Sequence, residues 1–204
     1  MANFLDVILE SDEVSIIDKV YVENLKDRVI IINQDIDENI VEMATMQIIK
    51  FNKEDKDIPA DQRKPIRIYV SSNGGSIADG FTLIDVMLQS KTPVHTLNLS
   101  KAYSMGFLIM LAGSKRAAFS NSTFLLHDGM KGEISTGSKF KDTAKFYDEL
   151  DDRIKQYVLG RTTIESKVYD KNFAREWYMY SDEAKKLGVI NSIVGEDIDL
   201  DEIL

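Results

Sequence analysis

Cysteine is absent from the 204 residues, which removes disulfides, thiolate nucleophiles and thiolate metal sites together and suits a reducing compartment. No cluster of basic side chains is present either. Thirty-four acidic residues stand against 25 basic ones, and the net charge of −9 argues against nucleic acid or an anionic membrane as a partner. No apolar run approaches the roughly 18 residues of a membrane span. The start, Met1-Ala2-Asn3-Phe4-Leu5-Asp6, lacks the basic stretch and small-residue cleavage site of a secretory signal, so a cytosolic protein is expected. Histidine is nearly missing: His95 and His127 are the only imidazoles. The phosphate-binding fingerprints are also missing, since the one Gly-Gly turn, Gly74-Gly75, is followed by no Gly-Lys-Ser/Thr and belongs to no G-x-G-x-x-G.

What is present is enough for one core, with 44% hydrophobic residues and no linker-like stretch. Residues 1–18 alternate short apolar pieces with acids and read as a mobile segment or marginal hairpin. Val29 to Ile32 is β-branched and unbroken, so it predicts a buried strand. Apolar positions 40, 41, 44, 48 and 51 mark one face of a helix, and the charged stretch Asn52 to Lys64 reads as a surface loop. Ile66 to Ser71, Ser72-Asn73-Gly74-Gly75-Ser76 and Ile77 to Leu88 form a strand, a tight turn and a helix, and Val94 to Leu99 is the next parallel strand of that crossover. The turn alone reads as an ordinary tight turn, or as a source of bare N–H groups for an anion.

Ser104 stands, within the stretch Lys101 to Gly113, between that strand and an almost wholly apolar helix. A serine in such a place is most often an N-cap; the alternative is a hydroxyl nucleophile beside the polarised amide end of a buried helix. His95 falls inside a strand, where a structural role is expected. His127 ends the strand Thr123 to Leu126 and is followed by Asp128-Gly129, a place open to function. Apolar residues at 140, 144, 147, 150, 154 and 158 predict a long amphipathic helix over 139–159 that packs on a partner helix. Short helices are expected at 164–169 and 182–187, a final strand up to Val194, and a solvated acidic tail over 196–204.

Taken together, Leu25-Lys26-Asp27-Arg28-Val29-Ile30, Ser72-Asn73-Gly74-Gly75-Ser76, Ser104-Met105-Gly106, Gly113-Ser114-Lys115-Arg116, Asn121-Ser122 with His127, and Glu183-Ala184 with Leu187-Gly188 resemble the proteolytic subunit of the Clp protease, from about Leu25 to Val194. The resemblance implies an α/β fold of the ClpP/crotonase-like type, built of repeated ββα crossover units in one domain (residues 19–195), with a projecting handle helix over 139–159. It implies a serine endopeptidase that cleaves unfolded polypeptides inside a homo-oligomeric double heptameric ring, fed by an ATP-dependent AAA+ unfoldase. Residue by residue, it makes Ser104 the nucleophile, His127 the general base and acid, and the backbone N–H groups of Gly75 and Met105 the oxyanion donors. Gly74, Gly129, Met130, Lys131 and Gly132 would hold extended substrate backbone. No metal or organic cofactor is required for that chemistry.

The chain departs from the family pattern at several places. The family's triad Asp falls on Glu176, one methylene longer, with Asp170 and Asp182 as the next carboxylates in line. Asn73 stands for Pro in the Gly-Gly turn and Asp128-Gly129 for Gln-Pro, both of which loosen backbone. Arg67 stands where an aromatic residue helps form the unfoldase docking pocket, the loop 52–64 is long, and the first seventeen residues do not match the pore loop. The competing expectations are a catalytically weak or regulatory ring subunit that assembles with another proteolytic subunit, and a Ser/Lys hydrolase or crotonase-type enzyme on the same fold.

Overall fold

The computed structural model describes residues 9–10, 13–130, 132 and 136–203. Most of the segment expected to be mobile at the amino end (residues 1–8, 11 and 12), together with Lys131 and Leu204, lies outside the described residues. The elements run α1 (Ile16–Lys26), β1 (Val29–Ile32), a π-type turn (Val41–Thr45) continuing into α2 (Met46–Glu54), β2 (Ile66–Ser72), α3 (Ile77–Gln89), β3 (Val94–Tyr103), α4 (Met105–Ala112), β4 (Lys115–Phe119), β5 (Thr123–Leu126), α5 (Gly137–Arg161), α6 (Ser166–Asn172), β6 (Trp177–Tyr180), α7 (Ser181–Lys186) and β7 (Ser192–Val194). Strands β1, β2, β3, β4 and β7 lie side by side and parallel. The α/β class and the strand-turn-helix crossover expected from the sequence are both present.

β3 is longer than its apolar run because it changes neighbour. His95 to Asn98 pairs with β4, whereas Lys101 to Tyr103 pairs with β5. The register against β2 slips between Val70 and Ser72, where β3 bends. Buried Asn98 pins that bend: its Nδ2 donates to Thr123 O at 2.9 Å, its Oδ1 accepts from Ser100 N–H, and its own carbonyl takes the Ser122 hydroxyl. The polar pair Ser100-Lys101, which reads as a strand end, is therefore the crossing point between two sheet neighbours.

α4 is buried at every residue from Met105 to Ala112. Eight residues make a marginal helix by propensity alone, so burial holds it, at about 1.5–3 kcal/mol for each large apolar side chain. It packs on β3 and β2, on α3, and on α5. In α5 the predicted apolar stripe is buried only toward its carboxyl end: Ile154 and Val158 are buried, while Ala144 is exposed and Phe140 is 53% exposed, and Phe146, which lies off the stripe, is 61% exposed. Among the described residues no helix is long and apolar enough to cross a membrane.

At the amino ends of the parallel strands the charges are matched. Arg28, just before β1, donates to Asp55 from Nη1 and Nη2, each at 2.6 Å, and Asp55 also accepts from Thr92 Oγ1 at 2.9 Å. The hydrogen bond from Arg28 holds the Asp55 carboxyl below the usual carboxylate range against the opposing effect of burial. Arg63 donates to Ile58 O and Thr92 Oγ1. These contacts tie the long loop 52–64 to the strand starts. The acidic end, expected to be solvated, instead folds back: Ile198 and Ile203 pack on Leu97, Ala117 and Val194, and Arg67 donates to Ile203 O at 2.9 Å. Asp197 accepts from Ile193 N–H and pairs with Lys185, while the two isoleucines cover a sheet face. Arg67, Tyr69, His95 and Leu97 line a cleft of about 370 Å³ beside that segment.

Candidate active site

Ser104 occupies the turn between β3 and α4 with φ 53° and ψ −117°, a conformation that side-chain-bearing residues avoid at about 1–3 kcal/mol. Burial of α4 outweighs that strain. The N-cap reading fails on geometry: Ser104 makes no side-chain capping bond, and its hydroxyl has no partner among the described residues. Its N–H donates to Leu125 O at 2.9 Å, which fastens the turn to β5.

The same fastening brings in His127. β3 and β5 are parallel with Tyr103 opposite Leu125, so the two strands end side by side, one at Ser104 and the other at His127. β5 in turn pairs antiparallel with β6, Leu126 opposite Trp177, and the next step of that register sets His127 opposite Glu176. The side chains meet there: His127 Nδ1 lies 2.9 Å from Glu176 Oε1. A carboxylate accepts only, so Nδ1 carries the proton and Nε2 of the neutral ring is the acceptor. Nε2 is buried with no hydrogen-bond partner among the described residues, so the bond to Ser104 is not made in this structure. The other carboxylates weighed for this place are engaged elsewhere, Asp170 with Lys155 at 2.6 Å and Asp182 with Lys186 at 3.3 Å.

The Gly-Gly turn closes over the serine. Gly74 has φ 99° and Gly75 φ 145°, and a Cβ on Gly75 would stand 2.2 Å from Ile36 O, so no other residue fits. Ile36 N–H donates to Gly74 O and Ser76 N–H to Ile36 O, a short parallel bridge that aims the Gly75 N–H the opposite way. Neither that N–H nor the N–H of Met105 has an acceptor among the described residues. Asn73, which stands in this turn where the family has proline, is tied by its side chain. Asn73 Oδ1 accepts from Lys101 Nζ at 2.7 Å and its Nδ2 donates to Asp35 at 3.3 Å, so side-chain bonds replace the ring constraint of proline. Sequence reading missed Lys101, Asp35 and Ile36, which become significant only once the turn is folded.

Gly75, Ser104, Gly129, Met130 and Gly132 line one cleft of about 540 Å³, together with Ile77, Phe81, Phe146, Tyr147 and Leu150. Gly74 packs directly against Ser104, whereas His127 and Glu176 stand outside the cleft lining. Its apolar side chains Ile77 and Phe81 come from α3, and Phe146 and Leu150 from α5. His95 stays apart from this site. Burial first, then the charges of Lys115 and Arg67, lower its pKa.

Fold and site together define an α/β protein with a strained hydroxyl, an imidazole and a carboxylate gathered at the carboxyl ends of parallel strands, the usual place for chemistry in such sheets. A sequence model described as Clp protease matches residues 11–197. The chain belongs to the Clp protease family. It is 30% identical over 172 residues to the ATP-dependent Clp protease proteolytic subunit 2 of Bacillus licheniformis, covering 83% of this chain and 87% of that protein. It is 32% identical over 179 residues to the ATP-dependent Clp protease proteolytic subunit 1 of Bacillus cereus, covering 86% of this chain and 89% of that one.

Proposed function

We propose that this ClpP-family proteolytic subunit is a serine endopeptidase acting through Ser104, His127 and Glu176. The observation that carries the reading is the His127–Glu176 contact at 2.9 Å, which fixes the imidazole tautomer whose Nε2 can take a proton beside the strained Ser104 turn. His127 Nε2 removes the Ser104 proton as Oγ attacks the peptide carbonyl. The oxyanion that forms is held by the N–H groups of Gly75 and Met105. The tetrahedral intermediate collapses as His127 hands its proton to the leaving amine, and water, activated by the same nitrogen, hydrolyses the acyl-enzyme. Gly74, Gly129, Met130, Lys131 and Gly132 supply main-chain contacts to extended substrate, which makes recognition tolerant of sequence. In this reading the exposed stretch of α5 around Phe140 and Phe146 stacks two heptameric rings, and an ATP-driven unfoldase threads polypeptides into the chamber.

The missing Ser104–His127 bond favours a second reading, a regulatory ring subunit whose partner does the cutting. Apo sites commonly hold such bonds open until assembly or substrate closes them, which supports the first. A fluorophosphonate probe on rings checked by native mass separates the two. Uptake by wild type that is lost in Ser104→Ala and in His127→Ala is expected for the peptidase, and an intact ring that takes up no probe, alone or with an unfoldase, overturns it.

A further inference from the structure

The two ends of α4 are treated differently. At its carbonyl end the acceptors are filled by side chains: Leu108 O takes the Tyr157 hydroxyl at 3.0 Å and Met110 O takes Thr96 Oγ1 at 2.9 Å. Leu111 O takes both Arg161 Nε and Arg116 Nη1, and Ala112 O and Gly113 O take Arg161 Nη2 at 3.4 and 3.3 Å. At its amide end Met105 and Gly106 have no acceptor among the described residues. One end is closed and the other is left open.

The closed end is also where two cations meet. Neither Arg116 nor Arg161 pairs with a carboxylate among the described residues, although the chain carries 34 acids. Burial, then the nearby Arg161 charge, lowers the Arg116 pKa, so the two guanidinium groups repel. Two like charges stay together in a part-buried place only if something negative lies between them. Here that is the carbonyl end of α4, the negative pole of the helix dipole. Tyr157 and Arg161 both come from the last turns of α5, so the long helix grips the helix that begins at Ser104.

We propose that Arg161 and Arg116, with Tyr157, are positioning residues for Ser104: they fix α4 from its carbonyl end and balance its dipole, so that the Met105 N–H stays aimed and polarised for the oxyanion. This inference rests on the serine-peptidase reading. A purely structural cap would affect thermal stability alone. A positioning clamp also affects how well the site binds an anionic tetrahedral species, with little effect on substrate binding.

The test uses assembled rings of wild type, Arg161→Ala, Arg161→Lys and Tyr157→Phe. It measures kcat and KM on a fluorogenic peptide, the affinity of a peptide boronate that mimics the tetrahedral intermediate, and Tm. Arg161→Ala is expected to lower kcat about tenfold with KM unchanged and to weaken the boronate by a similar factor, within the range of charge effects at a helix end. Lysine keeps the charge but loses the fork and is expected to lose about threefold, and Tyr157→Phe about twofold. Unchanged kcat and boronate affinity with a lowered Tm overturns the inference. Should Arg161→Ala fail to assemble, wild-type values for both Arg161→Lys and Tyr157→Phe overturn it equally. A wild-type ring that takes up no fluorophosphonate is a different failure, of the peptidase reading itself, and it removes this inference too.

Discussion

The two ends of the parallel strands in this molecule follow opposite rules. At the amino ends, Arg28, Asp55, Thr92 and Arg63 satisfy one another in a compact network, and Asp55 is only 2% exposed. At the carboxyl ends, the Ser104 hydroxyl, His127 Nε2 and the N–H groups of Gly75 and Met105 have no partners among the described residues, and Ser104 is held in a strained conformation. Unsatisfied polar groups lower stability, so several of them gathered at one place, beside a strained serine, point to something else to be bound there. The saturated end stabilises the sheet; the open end is where a substrate carbonyl would complete the pattern.

Substitutions at the two ends should therefore separate activity from stability. The largest effect is expected at the open end. Ser104→Gly abolishes peptide cleavage, a loss of about 10³-fold or more, yet raises stability by about 1 kcal/mol because glycine accepts the positive φ, and thermal melting beside activity assays reads both. Glu176→Gln is expected next, lowering kcat about 10²- to 10⁴-fold with Tm nearly unchanged, because the exposed carboxylate contributes tautomer control rather than packing. Steady-state kinetics on assembled rings check this.

At the saturated amino ends of the strands the order reverses. Asp55→Asn leaves kcat unchanged and is expected to lower stability by about 2–3 kcal/mol, roughly 6 °C in Tm, since Arg28 loses its buried, doubly bonded partner and keeps only the more distant Glu54. The Asp55 pKa is depressed in the folded protein, so its contribution is present above the ordinary carboxylate pKa of about 3.9 and is lost as pH falls below that value. Acid melts of the variant should show a shallower decline there than wild type. Asn73→Ala gives the smallest effect, about a twofold drop in kcat/KM from a less firmly held Gly-Gly turn, since Lys101 and Asp35 are exposed partners.

Much of this contrast could be read before folding. The β-branched runs, the strand-Gly-Gly-helix crossover and the apolar helix after Ser104 each carry a local physical signature, and His127 at a strand end followed from the run Thr123 to Leu126. What stayed hidden was non-local. Trp177 to Tyr180 has three aromatic residues and Met179 with no polar alternation, although only Met179 is buried, so β6 could not be recognised as an edge strand. Without β6 there is no register to set Glu176 against His127. The change of sheet neighbour at Ser100-Lys101 depends on Asn98, a buried polar residue whose partners come from two other segments. The tail misled because its acids dominate the composition while Ile198 and Ile203 do the packing.

The most direct test of an open carboxyl end is a crystal structure of the fluorophosphonate adduct. The account predicts phosphorus bonded to Ser104 Oγ, with the phosphonyl oxygen about 3 Å from the N–H groups of both Gly75 and Met105. A probe bound to another residue, or a phosphonyl oxygen turned to solvent away from those two amides, would contradict it.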